Sequence, residues 1–171
     1  MRLYLIGMPF SGKTFLGKNL AEMMKVRFLD TDETIEHKTG YRIQELFDKH
    51  GVAYFRQLES EVLHEIADHD IVVSTGGGMP CYNNNIRYMN ATGVTLHLNS
   101  PLDILIDRAK CPSEASKRPH WAKLNENEII ENLNTMSRER SDCYNMAQLE
   151  FTGTDAALLL EILKTKSEIW R

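Results

Sequence analysis

The stretch Gly7-Met8-Pro9-Phe10-Ser11-Gly12-Lys13-Thr14 decides how this chain is read. It follows the apolar run Leu3-Tyr4-Leu5-Ile6 and opens a segment of helical periodicity, so it is the turn between a strand and a helix. Its spacing fits G-x-x-x-x-G-K-[ST], a loop whose backbone N–H groups wrap a polyphosphate. The positive end of the following helix dipole strengthens that hold. In this pattern Gly7, Ser11, Gly12, Lys13, Thr14 and Phe15 line the nucleotide phosphates. Lys13 reaches the β- and γ-phosphates of ATP, and the Thr14 hydroxyl ligates the accompanying Mg²⁺. A glycine-rich turn that binds nothing is the bland alternative, and it needs a chance match in the right strand and helix setting.

Working outward, short apolar runs recur between helix-like segments: Leu3–Ile6, Arg27–Leu29, Ile71–Ser74, Val94–Leu98 and Leu149–Thr152. Helical periodicity occupies Thr14–Lys25, Val52–Asp68, Pro101–Lys110, Glu126–Asp142 and Asp155–Glu168. Alternating strands and helices imply an α/β fold, a five-stranded parallel sheet sandwiched between two layers of helices. The 171 residues suit one domain, taken as 1–171.

A net charge of -4 with both signs interspersed provides no basic field for nucleic acid or an anionic membrane, so the partners are small molecules. No apolar run approaches the roughly 20 residues that span a bilayer, and no leader pattern follows Met1, which points to a cytoplasmic protein. Cys81, Cys111 and Cys143 are odd in number and widely spaced, so neither a disulfide framework nor a zinc site is favoured. The six histidines are scattered and read as structural or surface residues.

Four clusters and one loop bear on what accepts the phosphate. Asp30-Thr31-Asp32 follows the second strand, and in an open α/β sheet ligands gather at the carboxyl ends of the strands. One acid there suits Mg²⁺ through water and the other an acceptor hydroxyl, although Asp32 also suits a helix N-cap before Glu33–Lys38. Arg56 and Glu59 sit three apart on a helix, a spacing that also describes an ordinary surface ion pair. Ser74-Thr75-Gly76-Gly77-Gly78 ends the third strand, and three glycines point to close approach of a ligand, a turn of positive φ, or a plain bend. Arg138-Glu139-Arg140 with Tyr144 is weak by itself. From Cys111 to Lys123 the chain reads CPSEASKRPHWAK, without apolar periodicity, and a basic loop of this kind suits a lid that closes over a phosphoryl group.

Taken in order, the phosphate loop, D-x-D, F-R-x-x-E, T-G-G-G, K-R-P and E-R-x-x-x-Y resemble the shikimate kinase family, small P-loop kinases related to nucleoside monophosphate kinases. The resemblance runs from about Leu3 to Asp155. It implies a kinase with a mobile lid near 111–123 and an acceptor-binding helical segment near 32–62. It further implies ATP and Mg²⁺ as cofactors, shikimate as acceptor in aromatic amino-acid biosynthesis, and a monomer.

By the same resemblance Asp30 holds the metal through water, and Asp32 binds the acceptor hydroxyls and takes the proton of the attacking one. Arg56 and Arg140 grip the shikimate carboxylate, Gly76, Gly77 and Gly78 lie against the ring, and Glu59 orients Arg56. Arg118 approaches the phosphates and Arg108 lies over the adenine. A planar guanidinium matches a carboxylate with two parallel hydrogen bonds, so the assignment has independent chemical sense.

Two departures stand out: Phe10 where the family usually has Gly, and His120-Trp121 where the lid usually reads Leu-Leu. Trp121 is expected to pack as an apolar lid anchor, and the Cys111–Lys117 part of the lid is slightly long. A kinase of the same fold acting on gluconate, and a catalytically silent nucleotide-binding module, are the rival readings. Intact Lys13, Thr14, Asp30, Asp32 and Arg118 weigh against silence.

Overall fold

The β1 strand Arg2–Ile6 runs through the middle of the molecule, and its alternate residues feed two separate cores. Tyr4 and Ile6 point to one face and Leu3 and Leu5 to the other, as the two-residue period of a strand requires. The structure is a computed structural model and describes residues 2–115 and 119–166.

After the phosphate loop come α1 Lys13–Met24, β2 Arg27–Asp30, α2 Thr31–Thr39, α3 Ile43–Glu65 and β3 Ile71–Ser74. A 3-10 turn, Met79–Cys81, leads to α4 Asn85–Thr92, β4 Val94–Leu98 and α5 Leu102–Lys110. The short helices α6 Pro112–Ala115 and α7 Pro119–Ala122, then α8 Glu126–Tyr144, β5 Leu149–Phe151 and α9 Ala156–Thr165, complete the order. The five strands are all parallel, in the order β2-β3-β1-β4-β5, with Leu3 level with Val72 on one side and Val94 on the other. The sheet is therefore the expected one, and β1, β3 and β4 are buried along nearly their whole length because helices cover both faces.

On one face, Leu16 and Leu20 of α1 pack with Leu159 and Leu163 of α9 over Leu3, Leu5 and Leu96. On the other, Leu105 of α5 and Leu133 of α8 cover Tyr4, Ile6 and Val73. A third cluster, Ile35, Leu46, Phe55, Leu58 and Val62, joins α2 to α3 away from the sheet. Helices α2 and α4 carry no apolar stripe strong enough to be expected in full from periodicity. The helix expected to start at Val52 begins at Ile43 and bends at Gly51, where φ 78° and ψ 174° lie outside helical values. Only glycine takes that conformation cheaply, so the bend sits where the sequence allows it. Among the described residues no helix is long and apolar enough to cross a membrane.

Candidate active site

The phosphate loop spans the carboxyl end of β1 and the first turn of α1, the helix end whose leading N–H groups have no partner within the helix. Gly12 adopts φ 93° as N-cap, and a Cβ there would lie 3.3 Å from Arg108 Nη1. Lys13 is buried inside the loop, its Nζ donating to Gly7 O and Met8 O at 2.8 Å each and to Ser11 Oγ at 3.3 Å. Arg108, from α5, donates Nη1 to Phe10 O at 2.9 Å and so lies across the loop.

Phe10 takes the left-handed conformation at φ 65°, which costs a residue bearing a Cβ about 1–2 kcal/mol. Its ring is buried edge-on against Trp121, with centroids 5.0 Å apart, and burial of this aromatic pair offsets the backbone cost. The two sites of departure from the family pattern are thus one contact, and Trp121 packs as the apolar anchor expected of it. Arg118 lies outside the described residues.

Beside the loop, the Thr14 hydroxyl donates to Asp30 Oδ2 at 2.7 Å and stands 3.3 Å from Ser74 Oγ. These are hard oxygen donors, Asp30 and Ser74 at the carboxyl ends of β2 and β3 and Thr14 in the first turn of α1, the chemistry Mg²⁺ prefers when phosphates complete its shell. The N-cap of α2 is Asp30, not Asp32: Asp30 Oδ1 accepts from Asp32 N at 3.0 Å and Glu33 N at 3.3 Å. One Asp30 oxygen therefore starts the helix while the other faces Thr14, and Asp32 is left to turn toward Gly76.

The three glycines are explained by space. None of Gly76, Gly77 and Gly78 is among the residues of positive φ. A Cβ on Gly76 would sit 2.5 Å from Asp32 Oδ1, one on Gly77 3.0 Å from Arg140 Nη1, and one on Gly78 2.6 Å from Arg56 Nη1. The segment is a bare backbone shelf onto which Asp32, Arg140 and Arg56 fold from three different helices. It is held from below by Thr31 Oγ1, which accepts from Gly76 N at 2.9 Å, and by the Tyr144 hydroxyl, which donates to Gly77 O at 2.6 Å.

Arg56 and Glu59 pair at 2.6 Å, with side-chain exposures of 14% and 1%, so this is a buried pair and not the surface bridge that i,i+3 spacing alone allows. Burial pushes the Glu59 carboxyl up to about 7 against the opposing pull of Arg56. Arg56 Nε and Arg140 Nη1 are buried and have no hydrogen-bond partner among the described residues. Two guanidinium groups with idle buried donors beside one shelf are chemically suited to receive a small anion. The hydroxyl-binding candidate Asp32 lies at the other end of the same shelf.

Sequence reasoning missed several supporting residues. The Arg56 guanidinium stacks 4.2 Å above the Tyr82 ring, and Asn83 Nδ2 donates to Arg56 O at 2.9 Å. Ser60 Oγ donates to the buried Asn85 Oδ1 at 2.7 Å, and Asn85 Nδ2 donates to Met79 O at 2.9 Å, which ties the 3-10 turn to α3. A run of asparagines, Asn83-Asn84-Asn85, was their sequence signal.

Comparison with known proteins bears on the same region. The family model for shikimate kinase matches residues 9–166. The chain is 36% identical to a shikimate kinase of Bacteroides thetaiotaomicron over 156 residues, 91% of this chain and 88% of that one. A crystal structure of shikimate kinase from the same organism aligns with a TM-score of 0.88 at 33% identity, covering 99% and 98% of the two chains. Shikimate kinase from Acinetobacter baumannii in complex with shikimate aligns with a TM-score of 0.85 at 30% identity, covering 98% and 93%.

Proposed function

The chain belongs to the shikimate kinase family, and we propose that it transfers the γ-phosphoryl group of ATP to a hydroxyl of shikimate, giving shikimate 3-phosphate and ADP, in aromatic amino-acid biosynthesis. The observation that carries the acceptor assignment is the pair of buried, partnerless donors, Arg56 Nε and Arg140 Nη1, flanking the Gly76–Gly78 shelf. They bind the one carboxylate of shikimate, and the shelf admits its ring because no Cβ stands in the way. Asp32, at the far end, binds the hydroxyls, orients the attacking one and is the carboxylate on that side available to take its proton.

On the nucleotide side, the loop amides and Lys13 hold the phosphates, and Arg108 closes over the loop toward the base. Thr14 directly, and Asp30 through water, would hold Mg²⁺, which when bound neutralises charge on the β- and γ-phosphates. Arg118 brings a further positive charge from the lid at 111–123, and its removal is expected to lower kcat by roughly 10²–10³ while KM for shikimate moves little. Phosphoryl transfer of this kind depends on alignment and charge more than on covalent participation by the protein, and the residues named supply both. We place the enzyme in the cytoplasm, where ATP is available, working as a monomer.

The deciding measurement is ADP release in a coupled assay with ATP and Mg²⁺. Release that requires shikimate and does not occur with gluconate is expected. Release independent of shikimate, or equal with gluconate, would overturn the acceptor assignment.

A further inference from the structure

The chain that leaves the shelf comes back to Arg56. Gly78 leads directly into the 3-10 turn Met79–Cys81, and Tyr82 closes that turn. Asn83 and Asn84 then both take left-handed backbone, φ 50° and 61°, a conformation asparagine tolerates better than most residues. From this turn Asn83 Nδ2 donates to Arg56 O at 2.9 Å. Tyr82 O accepts from Asn85 N at 2.9 Å, and the buried Asn85 is anchored in turn to Ser60 on α3. Tyr82 therefore stands on a main chain pinned to the helix that carries Arg56.

The Tyr82 side chain is 42% exposed, yet its ring centroid lies 4.2 Å from Arg56 Cζ. Contact with a cation at that distance sets it apart from an ordinary surface tyrosine. Around the same guanidinium, Glu59 accepts from Nη1 at 2.6 Å. The Gly78 backbone comes so near that a Cβ there would lie 2.6 Å from Nη1, 2.7 Å from Nη2 and 2.8 Å from Cζ. Nε stays buried without a hydrogen-bond partner among the described residues. A carboxylate, a bare backbone and an aromatic ring thus hold the group, and one buried donor is left over.

We propose that Tyr82 is a positioning residue for the carboxylate of the acceptor, holding the Arg56 guanidinium in the orientation in which Nε and the adjacent Nη2 present two parallel donors to a planar, two-oxygen anion. This rests on the reading of Arg56 as a carboxylate ligand given above. The Glu59 bond is made at Nη1, and a group held at one atom can pivot about it. The ring and the Gly78 backbone remove that freedom. A long side chain loses rotamer entropy when a ligand fixes it, and a guanidinium fixed beforehand binds without that loss. Stacking on a ring leaves the edge of the guanidinium open, which is the part that meets a carboxylate.

The test is steady-state kinetics on Tyr82→Leu, Tyr82→Phe, Arg56→Ala and the double variant Tyr82→Leu with Arg56→Ala, with melting temperatures for each. Tyr82→Leu keeps apolar bulk and loses the aromatic face, so KM for shikimate should rise about 3- to 10-fold, with kcat and KM for ATP unchanged. Tyr82→Phe should restore KM for shikimate to within about twofold of the wild type, because the face and not the hydroxyl meets the cation. In the Arg56→Ala background the leucine substitution should add nothing, since its effect passes through Arg56. A full additional rise in the double variant, or a loss in Tyr82→Leu shared by kcat, KM for ATP and melting temperature, would overturn the proposal. So would an unchanged KM for shikimate in Tyr82→Leu when Arg56→Ala raises it, and that result leaves the carboxylate reading of Arg56 standing. An unchanged KM for shikimate in Arg56→Ala itself would remove both.

Discussion

The two halves of the site meet their charges in opposite ways. On the nucleotide side, the Lys13 ammonium is already surrounded by Gly7 O, Met8 O and Ser11 Oγ, all within seven residues of it in sequence. On the acceptor side, Arg56 and Arg140 come from distant helices and keep buried donors that no described residue satisfies. The first half is a self-contained loop that folds around its own cation. On the proposed function the second is completed by its ligand, while Glu59 compensates one of its two cations. A charge met by its own loop serves binding and chemistry together, whereas buried donors left idle serve recognition, because the wrong ligand leaves them unpaired.

The most severe break in this comparison is Lys13→Met. It removes the cation that meets charge developing on the phosphates, and kcat should fall by about 10³-fold or more while the melting transition persists. Turnover near that of the wild type would show that the loop is not the phosphate site.

On the opposite half, Arg56→Ala should cost about 2–5 kcal/mol of shikimate binding, roughly 30- to 4,000-fold in KM, with KM for ATP nearly unchanged. Steady-state kinetics with each substrate varied in turn reads the split. Weakened ATP with unaffected shikimate would mean that the two halves have been assigned the wrong way round.

Glu59 sharpens the comparison through pH. Its carboxyl is raised from 4.5 to about 7 in the folded state, so the folded protein holds this proton more tightly than the unfolded chain. The resulting stability is fully present below the unfolded value and is lost as pH rises through about 7. Between about pH 5 and about pH 8 the wild type should lose on the order of 2 kcal/mol that Glu59→Gln does not lose, measured by urea unfolding at each pH. Parallel profiles for the two proteins would place the Glu59 titration elsewhere.

The smallest expected effect is that of Gly78→Ala. The new methyl would sit 2.6 Å from Arg56 Nη1 and must push the guanidinium aside. KM for shikimate should rise roughly tenfold with little change in the melting temperature, because a flexible side chain yields before the backbone does. An unaltered KM would show that Arg56 does not reach over the shelf when ligand binds.

The strand and helix alternation and the phosphate loop were legible in the chain before any coordinates, whereas the candidate acceptor residues were named by the family resemblance and not by spacing. The alternation and the loop rest on short-range spacing: period two in β1, periods of three and four in α1 and α8, and a glycine-lysine pattern whose bonds close within a few residues. Local geometry repeats wherever such a pattern occurs, so it can be read from the order of residues. What tertiary structure alone decided depends on which distant segments cover one another. Arg56 and Glu59 read equally well as a surface pair until burial raised the carboxyl to about 7. Asp30, not Asp32, proved to be the cap of α2, and the three glycines proved to be required by crowding from three helices. Desolvation and steric exclusion are properties of assembled surfaces, and no spacing along a chain encodes them.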